Sequence, residues 1–222
     1  MTGFDGVVFD MDGVIFDTET VGLRSWEAVG KRHGFENVLH YARECIGRST
    51  KDSMKIMTQA YGDIDIAALK DECEREFADI IAREGLIFKK GARELLDWLK
   101  ENGIKTAIAS STSRAGVLSH LKRTGTEDRF LFIVGGDMVE NSKPEPEIYL
   151  KACEGLGTAP ANTFAIEDSN NGMISAHRAG MRALLVPDIV ENTAEAKSYA
   201  ERIFSDLFEV KEYFRQHRTT TA

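Results

Sequence analysis

The sequence contains few cysteines, and no two of them stand close together. Cys45, Cys73 and Cys153 form no CxxC pair and have no cysteine–histidine spacing typical of a metal site. The five histidines show no ligand spacing either. These absences argue against a disulfide framework and a zinc centre, and they predict reduced thiols in a cytoplasmic protein.

Basic clusters and long apolar runs are also missing. The 222 residues include 28 Lys and Arg against 36 Asp and Glu, which gives a formal net charge of −8. Without a basic patch, nucleic acid is not an expected partner. The N-terminus has no basic start followed by a long apolar run, so we expect neither a signal peptide nor a transmembrane span and no membrane partner.

Five short apolar runs, each bounded by turn residues, predict buried strands. They lack the strict polar–apolar alternation of half-exposed strands, as expected where both faces of a sheet are covered. The runs are residues 7–9, 106–109, 130–134, 164–166 and 183–186.

Helical patterns lie between the later runs, at residues 92–101, 115–123, 145–154 and 171–179. Pro144 suits the first turn of the third of these helices. The alternation of strand and helix predicts an α/β fold, a parallel sheet with helices on both faces.

The stretch from residue 18 to residue 85 differs from the rest, because it has several helical patterns and no convincing strand. The patterns cover residues 21–33, 51–61 and 66–83. We therefore predict two domains, an α/β core of residues 1–17 and 86–222 and an inserted helical domain of residues 18–85.

The first apolar run ends in two acids, within the segment VVFDMDGVIFD. Asp10 and Asp12 lie two positions apart, so in an extended chain both point to the same side. Like charges about 4 Å apart repel by roughly 4 kcal/mol at an effective dielectric of 20. A divalent cation with a phosphate-bearing ligand would explain this pair. A β-hairpin turn at Asp12-Gly13 is the competing interpretation.

Three later segments also fall where predicted strands end, the usual ligand-binding edge of an open parallel sheet. They are ASST at residues 109–112, SKP at residues 142–144 and IEDSNNG at residues 166–172. Each alone has a simpler explanation. Ser110 suits a helix N-cap, Lys143 a solvated surface position, and the acids of the last segment a helix N-terminus.

Taken in order, DxDGVxxD, a strand-end serine, SKPxP and EDSxxG resemble the haloacid dehalogenase-like superfamily of phosphohydrolases. The resemblance covers residues from about 4 to 187 and favours the β-phosphoglucomutase-like branch. It implies a Rossmann-like, doubly wound core with an inserted small α-helical cap domain. It also implies a monomeric phosphatase that acts on a small phosphorylated metabolite such as a sugar phosphate.

The resemblance assigns the chemistry to particular residues. Asp10 would attack phosphorus to form an aspartyl phosphate, and Asp12 would act as general acid and base. Mg²⁺ would be held by Asp10, the backbone carbonyl of Asp12 and Asp168. Glu167 would be a direct or water-mediated ligand.

The remaining candidates would bind the substrate. Ser110, Ser111 and Lys143 would contact the phosphoryl oxygens. In the cap, the candidate substrate contacts are Thr18, Arg48, Thr50 and Lys51, although an exposed helix N-terminus explains the last three equally well.

Other functions remain open. A sugar-phosphate mutase is the main alternative, but Gly22 occupies the position where such mutases typically have histidine. Asp12 argues against the dehalogenases and phosphonoacetaldehyde hydrolases of the superfamily, which do not need this second acid. A non-hydrolytic phosphoacceptor or a binding protein is the alternative of another class. The insertion together with Asp12 disfavours the phosphoacceptor, and the presence of every expected catalytic residue type disfavours the binding protein.

Overall fold

The computed structural model of the chain describes residues 3–46, 50–62 and 65–217. The chain divides into two compact units. The first consists of Met1–Phe16 and Phe88–Ala222, and the second consists of Asp17–Ile87. That the second unit serves as a cap stays a prediction. Among the described residues, no helix is both long enough and apolar enough to cross a bilayer.

Six parallel strands form the sheet of the first unit, in the order β3-β2-β1-β4-β5-β6. They are β1 (Gly6–Phe9), β2 (Lys105–Ala109), β3 (Phe132–Val134), β4 (Thr163–Glu167), β5 (Arg182–Leu185) and β6 (Ala200–Ile203). The order changes direction at β1, which pairs with β2 on one side and β4 on the other. This topology confirms the predicted doubly wound α/β fold, and it creates a binding edge at the carboxyl end of β1.

The described helices divide between the two units. The inserted unit contains α1 (Thr18–His33), α2 (Val38–Cys45), α3 (Thr50–Tyr61) and α4 (Ile66–Glu84). The sheet unit contains α5 (Ala92–Glu101), α6 (Arg114–Thr124), α7 (Glu147–Leu156), α8 (Asn170–Arg178), α9 (Ala194–Ser198) and α10 (Leu207–His217). Short 3₁₀ turns occur at Glu127–Arg129, Gly136–Met138 and Pro160–Asn162.

The central strands are largely apolar because helices cover both faces of the sheet. Every residue of β1 is buried. On one face, Val8, Ala107 and Ala165 pack in a single cluster with Tyr149 of α7 and Met173 of α8. This packing places α7 and α8 against the sheet, and α8 begins close to the carboxyl end of β4, the neighbour of β1.

The inserted unit has its own small apolar clusters. Val21 of α1 packs with Ile80 and Ile81 of α4. A side chain at Gly30 would come within 2.7 Å of Val38, so this glycine allows α1 and α2 to pack closely. All three cysteines of the chain are free thiols, as predicted.

Several elements differ from the sequence predictions. Four elements were not predicted from the sequence: α2, β6, α9 and α10. Residues 201–203 of β6 are exposed at the sheet edge, so the strand lacks an apolar run. The prediction that Pro144 lies in the first turn of α7 was wrong, because α7 begins at Glu147 after Pro146. Glu145 precedes a proline, which disfavours the helical conformation at that residue.

Candidate active site

The first acid of the DxD segment lies directly beyond the end of β1. The backbone N–H of Asp10 donates to the carbonyl of Ile166 at 3.0 Å and so extends the pairing of β1 with β4. On the other side, the N–H of Ser110 donates to the carbonyl of Val134 at 3.1 Å. These backbone bonds fix Asp10 and Ser110 at the same edge of the sheet.

Lys143 joins the acids of two neighbouring strands. Its Nζ donates to Asp10 Oδ1 at 2.5 Å and to Glu167 Oε1 at 2.6 Å. All three side chains are at least nine-tenths buried. Lys143 is 133 residues from Asp10 in sequence, so the fold brings together two of the predicted motifs. A buried charge is unfavourable unless it is paired, which explains the close contact.

The electrostatics of this cluster favour an additional cation. Burial raises the pKa of Asp10 to about 8; attraction to Lys143 opposes this shift, whereas repulsion from Glu167 and Asp12 adds to it. Burial also disfavours the ammonium form of Lys143, but Asp10 and Glu167 outweigh burial and raise its pKa. One ammonium group therefore faces more negative charge than it can offset.

Hydroxyl groups of the loop after β2 hold Asp12. Ser110 Oγ donates to Asp12 Oδ2 at 3.1 Å, and Thr112 Oγ1 donates to the same oxygen at 2.9 Å. The N–H of Thr112 donates to Ser110 Oγ at 3.0 Å, which fixes that hydroxyl. The Ser110 hydroxyl thus contacts the second acid, and its predicted contact with phosphate stays a prediction. Ser111 is exposed at the same strand end.

The backbone conformation and close contacts of Gly13 explain why a glycine follows Asp12. Its φ angle is +78°, in the left-handed region that favours glycine. A Cβ atom there would lie 2.5 Å from Asp168 Oδ2 and 3.0 Å from Asp188 Oδ2. The absent side chain leaves space in which two carboxylates approach the loop between Asp10 and Phe16.

Glu167 is held by donors at both carboxylate oxygens. Lys143 and the Tyr149 hydroxyl donate to Oε1, the latter at 2.6 Å. Ser169 Oγ donates to Oε2 at 3.0 Å, and the backbone N–H groups of Asp168 and Ser169 also donate to it. A side chain at Gly172 would overlap this carboxylate. These donors favour the water-mediated role of Glu167 over direct ligation, and its part in metal binding stays a prediction.

The remaining donors suit a hard cation. Among the described residues, no group of three or more Asp, Glu, His or Cys side chains is arranged to hold a metal ion. The predicted Mg²⁺ site needs only two carboxylates, from Asp10 and Asp168, with the Asp12 carbonyl, water and phosphate as the other ligands. The glycine cradle at Gly13 and the excess negative charge around Asp10 fit this donor set.

The predicted cap residues are only partly described. Thr18 is buried as the first residue of α1. Arg48 lies outside the described residues. Thr50 and Lys51 begin α3, but their side chains also lie outside the description. Substrate contacts by these four residues stay predictions.

Some residues of the site were not predicted. Thr112 and Tyr149 contact Asp12 and Glu167, respectively, but a threonine after a strand and a tyrosine within a helix give no specific signal. Asp188 lies three residues after the end of β5, and its position near a strand end could have identified it. His120 on α6 had no sequence signal either; burial lowers its pKa, and Asp12 acts in the opposite direction.

Comparisons with known proteins agree with this geometry. The family model described as haloacid dehalogenase-like hydrolase matches residues 7–186. The Bacillus subtilis (strain 168) protein YhcW is 34% identical over 201 residues, which cover 90% of each chain. The phosphorylated carbohydrates phosphatase of Thermotoga maritima is 30% identical over 202 residues, covering 89% of this chain and 90% of that protein.

A solved structure adds a bound ligand in a relative. The crystal structure of CbbY from Rhodobacter sphaeroides in complex with phosphate superposes with a TM-score of 0.78 at 25% identity. The match covers 93% of this chain and 96% of that chain.

Proposed function

Because the chain belongs to the haloacid dehalogenase-like hydrolase family, we propose that it is a Mg²⁺-dependent phosphomonoester hydrolase of small phosphorylated metabolites, with sugar phosphates as the favoured class. The observation that carries the proposal is the buried contact between Lys143 and Asp10 at the end of β1. The second acid, Asp12, lies two residues further along the same loop. A relative named for phosphorylated carbohydrates supports the substrate class.

Asp10 is the proposed nucleophile. Its carboxylate oxygen attacks phosphorus, the bond from phosphorus to the ester oxygen breaks, and an aspartyl phosphate forms. Attack requires the ionised carboxylate, which burial disfavours and Lys143 favours. Mg²⁺ held by Asp10, the Asp12 carbonyl and Asp168 would neutralise charge on the phosphoryl oxygens and on Asp10.

Asp12 is the proposed general acid and base. It gives a proton to the leaving ester oxygen in the first step. In the second step it takes a proton from the water that attacks phosphorus, and inorganic phosphate leaves Asp10. The hydroxyls of Ser110 and Thr112 both contact Oδ2, so they fix the orientation of the carboxyl group for these transfers.

Lys143 is the proposed anchor for the phosphoryl group. Its ammonium group contacts Asp10 and is buried, so it can offset the charge that develops when two anions meet. Ser111 and the backbone N–H groups near it would provide further donors. The predicted monomeric state and cytoplasmic location also remain proposals.

The direct test is Asp10→Asn, assayed for phosphate release over a panel of phosphorylated metabolites. We expect turnover to fall more than 10³-fold, equivalent to about 4 kcal/mol of transition-state stabilisation. No phosphoenzyme should form in acid-quench experiments. The matched control is Asp97→Asn on α5, whose side chain pairs with Arg129 and should tolerate the change. An Asp10→Asn enzyme with most of its activity would rule out this nucleophile.

The same assay separates hydrolysis from the two alternatives. Incubation with β-glucose 1-phosphate and a bisphosphate primer yields free phosphate from a hydrolase but glucose 6-phosphate from a mutase. Gly22 in place of histidine favours hydrolysis. A phosphoenzyme that persists instead of turning over would indicate a phosphoacceptor.

A further inference from the structure

Asp188 is an acid at the predicted cation site that the proposed mechanism does not use. It follows β5 at the same carboxyl edge of the sheet as Asp10. Asp188 Oδ2 and Asp168 Oδ2 both lie within 3.0 Å of the point where a Gly13 side chain would begin. The two carboxylates therefore converge on one small space beside the loop that holds Asp10 and Asp12.

The two oxygens of Asp188 have different surroundings. Oδ1 is paired with the ammonium group of Lys89. Oδ2 is buried and has no hydrogen-bond partner among the described residues. The whole side chain is only 10% exposed. A buried carboxylate oxygen without a donor is unfavourable, so its presence beside Asp168 indicates a positively charged or hydrogen-donating ligand.

The ion pair between Asp206 and Lys90 provides a comparison, because Asp206 has donors at both carboxylate oxygens. Asp206 pairs with Lys90, the residue after Lys89, and is 11% exposed. Both of its oxygens have donors, because Lys90 Nζ contacts Oδ2 at 2.6 Å and the N–H of Glu209 contacts Oδ1 at 3.1 Å. Asp188 has similar burial and a similar lysine partner but leaves one oxygen facing Asp168.

We propose that Asp188 is a positioning residue for the divalent cation, and that its Oδ2 strengthens cation binding beside Asp168. Lys89 holds the other oxygen and thereby fixes the direction of the carboxylate. The inference rests on the proposed Mg²⁺-dependent function. It adds an acid from β5 to a site otherwise built from β1 and β4. Acids that support metal ligands typically change metal affinity 10–100-fold when they are replaced.

The test is Mg²⁺ binding measured by isothermal titration calorimetry on the full chain. Asp188→Asn keeps the shape of the side chain and removes its charge, so we expect about tenfold or greater weakening of Mg²⁺ binding. The activity midpoint in Mg²⁺ should rise by the same factor. Asp206→Asn is the matched control and should leave the Mg²⁺ affinity unchanged. Lys89→Met should weaken Mg²⁺ binding less than Asp188→Asn does, because it frees the carboxylate to rotate but keeps its negative charge.

A second variant covers the case in which Asp188→Asn fails to fold. Lys89→Met/Asp188→Asn removes both members of the pair, leaves no uncompensated lysine, and should show the same loss of affinity. If the affected variants lower thermal stability yet bind Mg²⁺ like the wild type, Asp188 is only a structural partner of Lys89 and the inference is wrong.

The outcomes also separate this inference from the proposed function. A wild-type enzyme that releases phosphate with Mg²⁺, together with an Asp188→Asn variant of unchanged affinity, overturns the inference alone. A wild type without phosphatase activity, whose Mg²⁺ binding still depends on Asp188, overturns the function alone. A wild type that does not bind Mg²⁺ overturns both the inference and the Mg²⁺ dependence of the proposed function.

Discussion

Glu167 shows how a single buried acid can organise a site without reacting. Its Oε1 accepts from Lys143 and Tyr149, and its Oε2 accepts from the start of α8. Lys143 is thus held between a proposed nucleophile and a carboxylate that is already satisfied. The position of the lysine depends on Glu167, and the position of Glu167 depends on Tyr149.

The hydroxyl of Tyr149 should therefore matter for stability. Tyr149→Phe keeps the ring, which lies 5.1 Å from Lys143 Nζ, and removes only the donor to Glu167. We expect the free energy of unfolding to fall by about 1–3 kcal/mol, because a buried carboxylate loses a hydrogen bond. Urea denaturation measures this loss.

The control for that change is Tyr199→Phe. The Tyr199 hydroxyl donates to Glu195 at 3.1 Å at an exposed position, so its loss should cost less than about 0.5 kcal/mol. Equal losses in the two variants would show that the Tyr149 hydrogen bond has no special importance.

At the residue level, the sequence predicted which motifs lie together better than it predicted the residues around them. The pairing of Asp10 with Lys143 follows from motif order, since strand ends meet at one edge of the sheet. Tyr149 could not be predicted, because an aromatic residue on a helix facing the sheet is usually a core residue. The choice between a direct and a water-mediated role for Glu167 could not be made from the sequence, because its position beside Asp168 does not reveal the donors that surround it.

At the level of elements, the loop before α7 determines where Lys143 lies. Glu147, in the first turn of α7, accepts from the backbone N–H groups of Glu140 and Asn141 and from Lys151. It therefore ties the start of the loop to the helix, two residues before Lys143. The negative charge also suits a helix N-terminus.

Glu147 should make the stability of this element depend on pH. The Lys151 side chain, followed by the N–H groups of Asn141 and Glu140, lowers the pKa of Glu147 from 4.5 to about 2. Folding thus favours the ionised form, so the stabilisation is complete above pH 4.5 and is lost as pH falls towards 2. Glu147→Gln should be less stable than the wild type at pH 7, and the difference should shrink below pH 4.5.

Urea denaturation of both proteins at several pH values measures that difference. Glu154→Gln, at an exposed position on the same helix, is the control and should match the wild type throughout. A gap between Glu147→Gln and the wild type that stays constant down to pH 3 would show that ionised Glu147 does not hold the loop.

The sequence predicted the central elements and missed the peripheral ones for one physical reason. Strands such as β1 and β4 are buried on both faces and therefore appear as apolar runs. The edge strand β6 is mostly exposed, so its sequence AERI has no such pattern. The late start of α7 depends on Pro146, whereas the prediction relied on Pro144.

At the level of the whole molecule, the chain places several acids at the carboxyl edge of the sheet, where we propose that ligands bind. The formal net charge is −8, and acids follow β1, β4 and β5 at the same edge. Lys143 and Lys89 are the cations paired with these acids in the structure. The sequence predicted convergence at this edge, but it could not show how Gly13 and Gly172 make room for carboxylates.

Cation binding should consequently stabilise the entire fold. A ligand that binds only the folded state adds RT ln(1 + [L]/Kd), which is about 2.7 kcal/mol at 100 times Kd. We expect Mg²⁺ to raise the unfolding free energy of the wild type by this amount, and chelation to reverse the gain and stop phosphate release. Asp168→Asn should show no gain, whereas Asp97→Asn should match the wild type. If NaCl at matched ionic strength raised the free energy of unfolding by the same amount, the effect would be general charge screening. Screening acts on exposed charges and needs no cation site between Asp10 and Asp168.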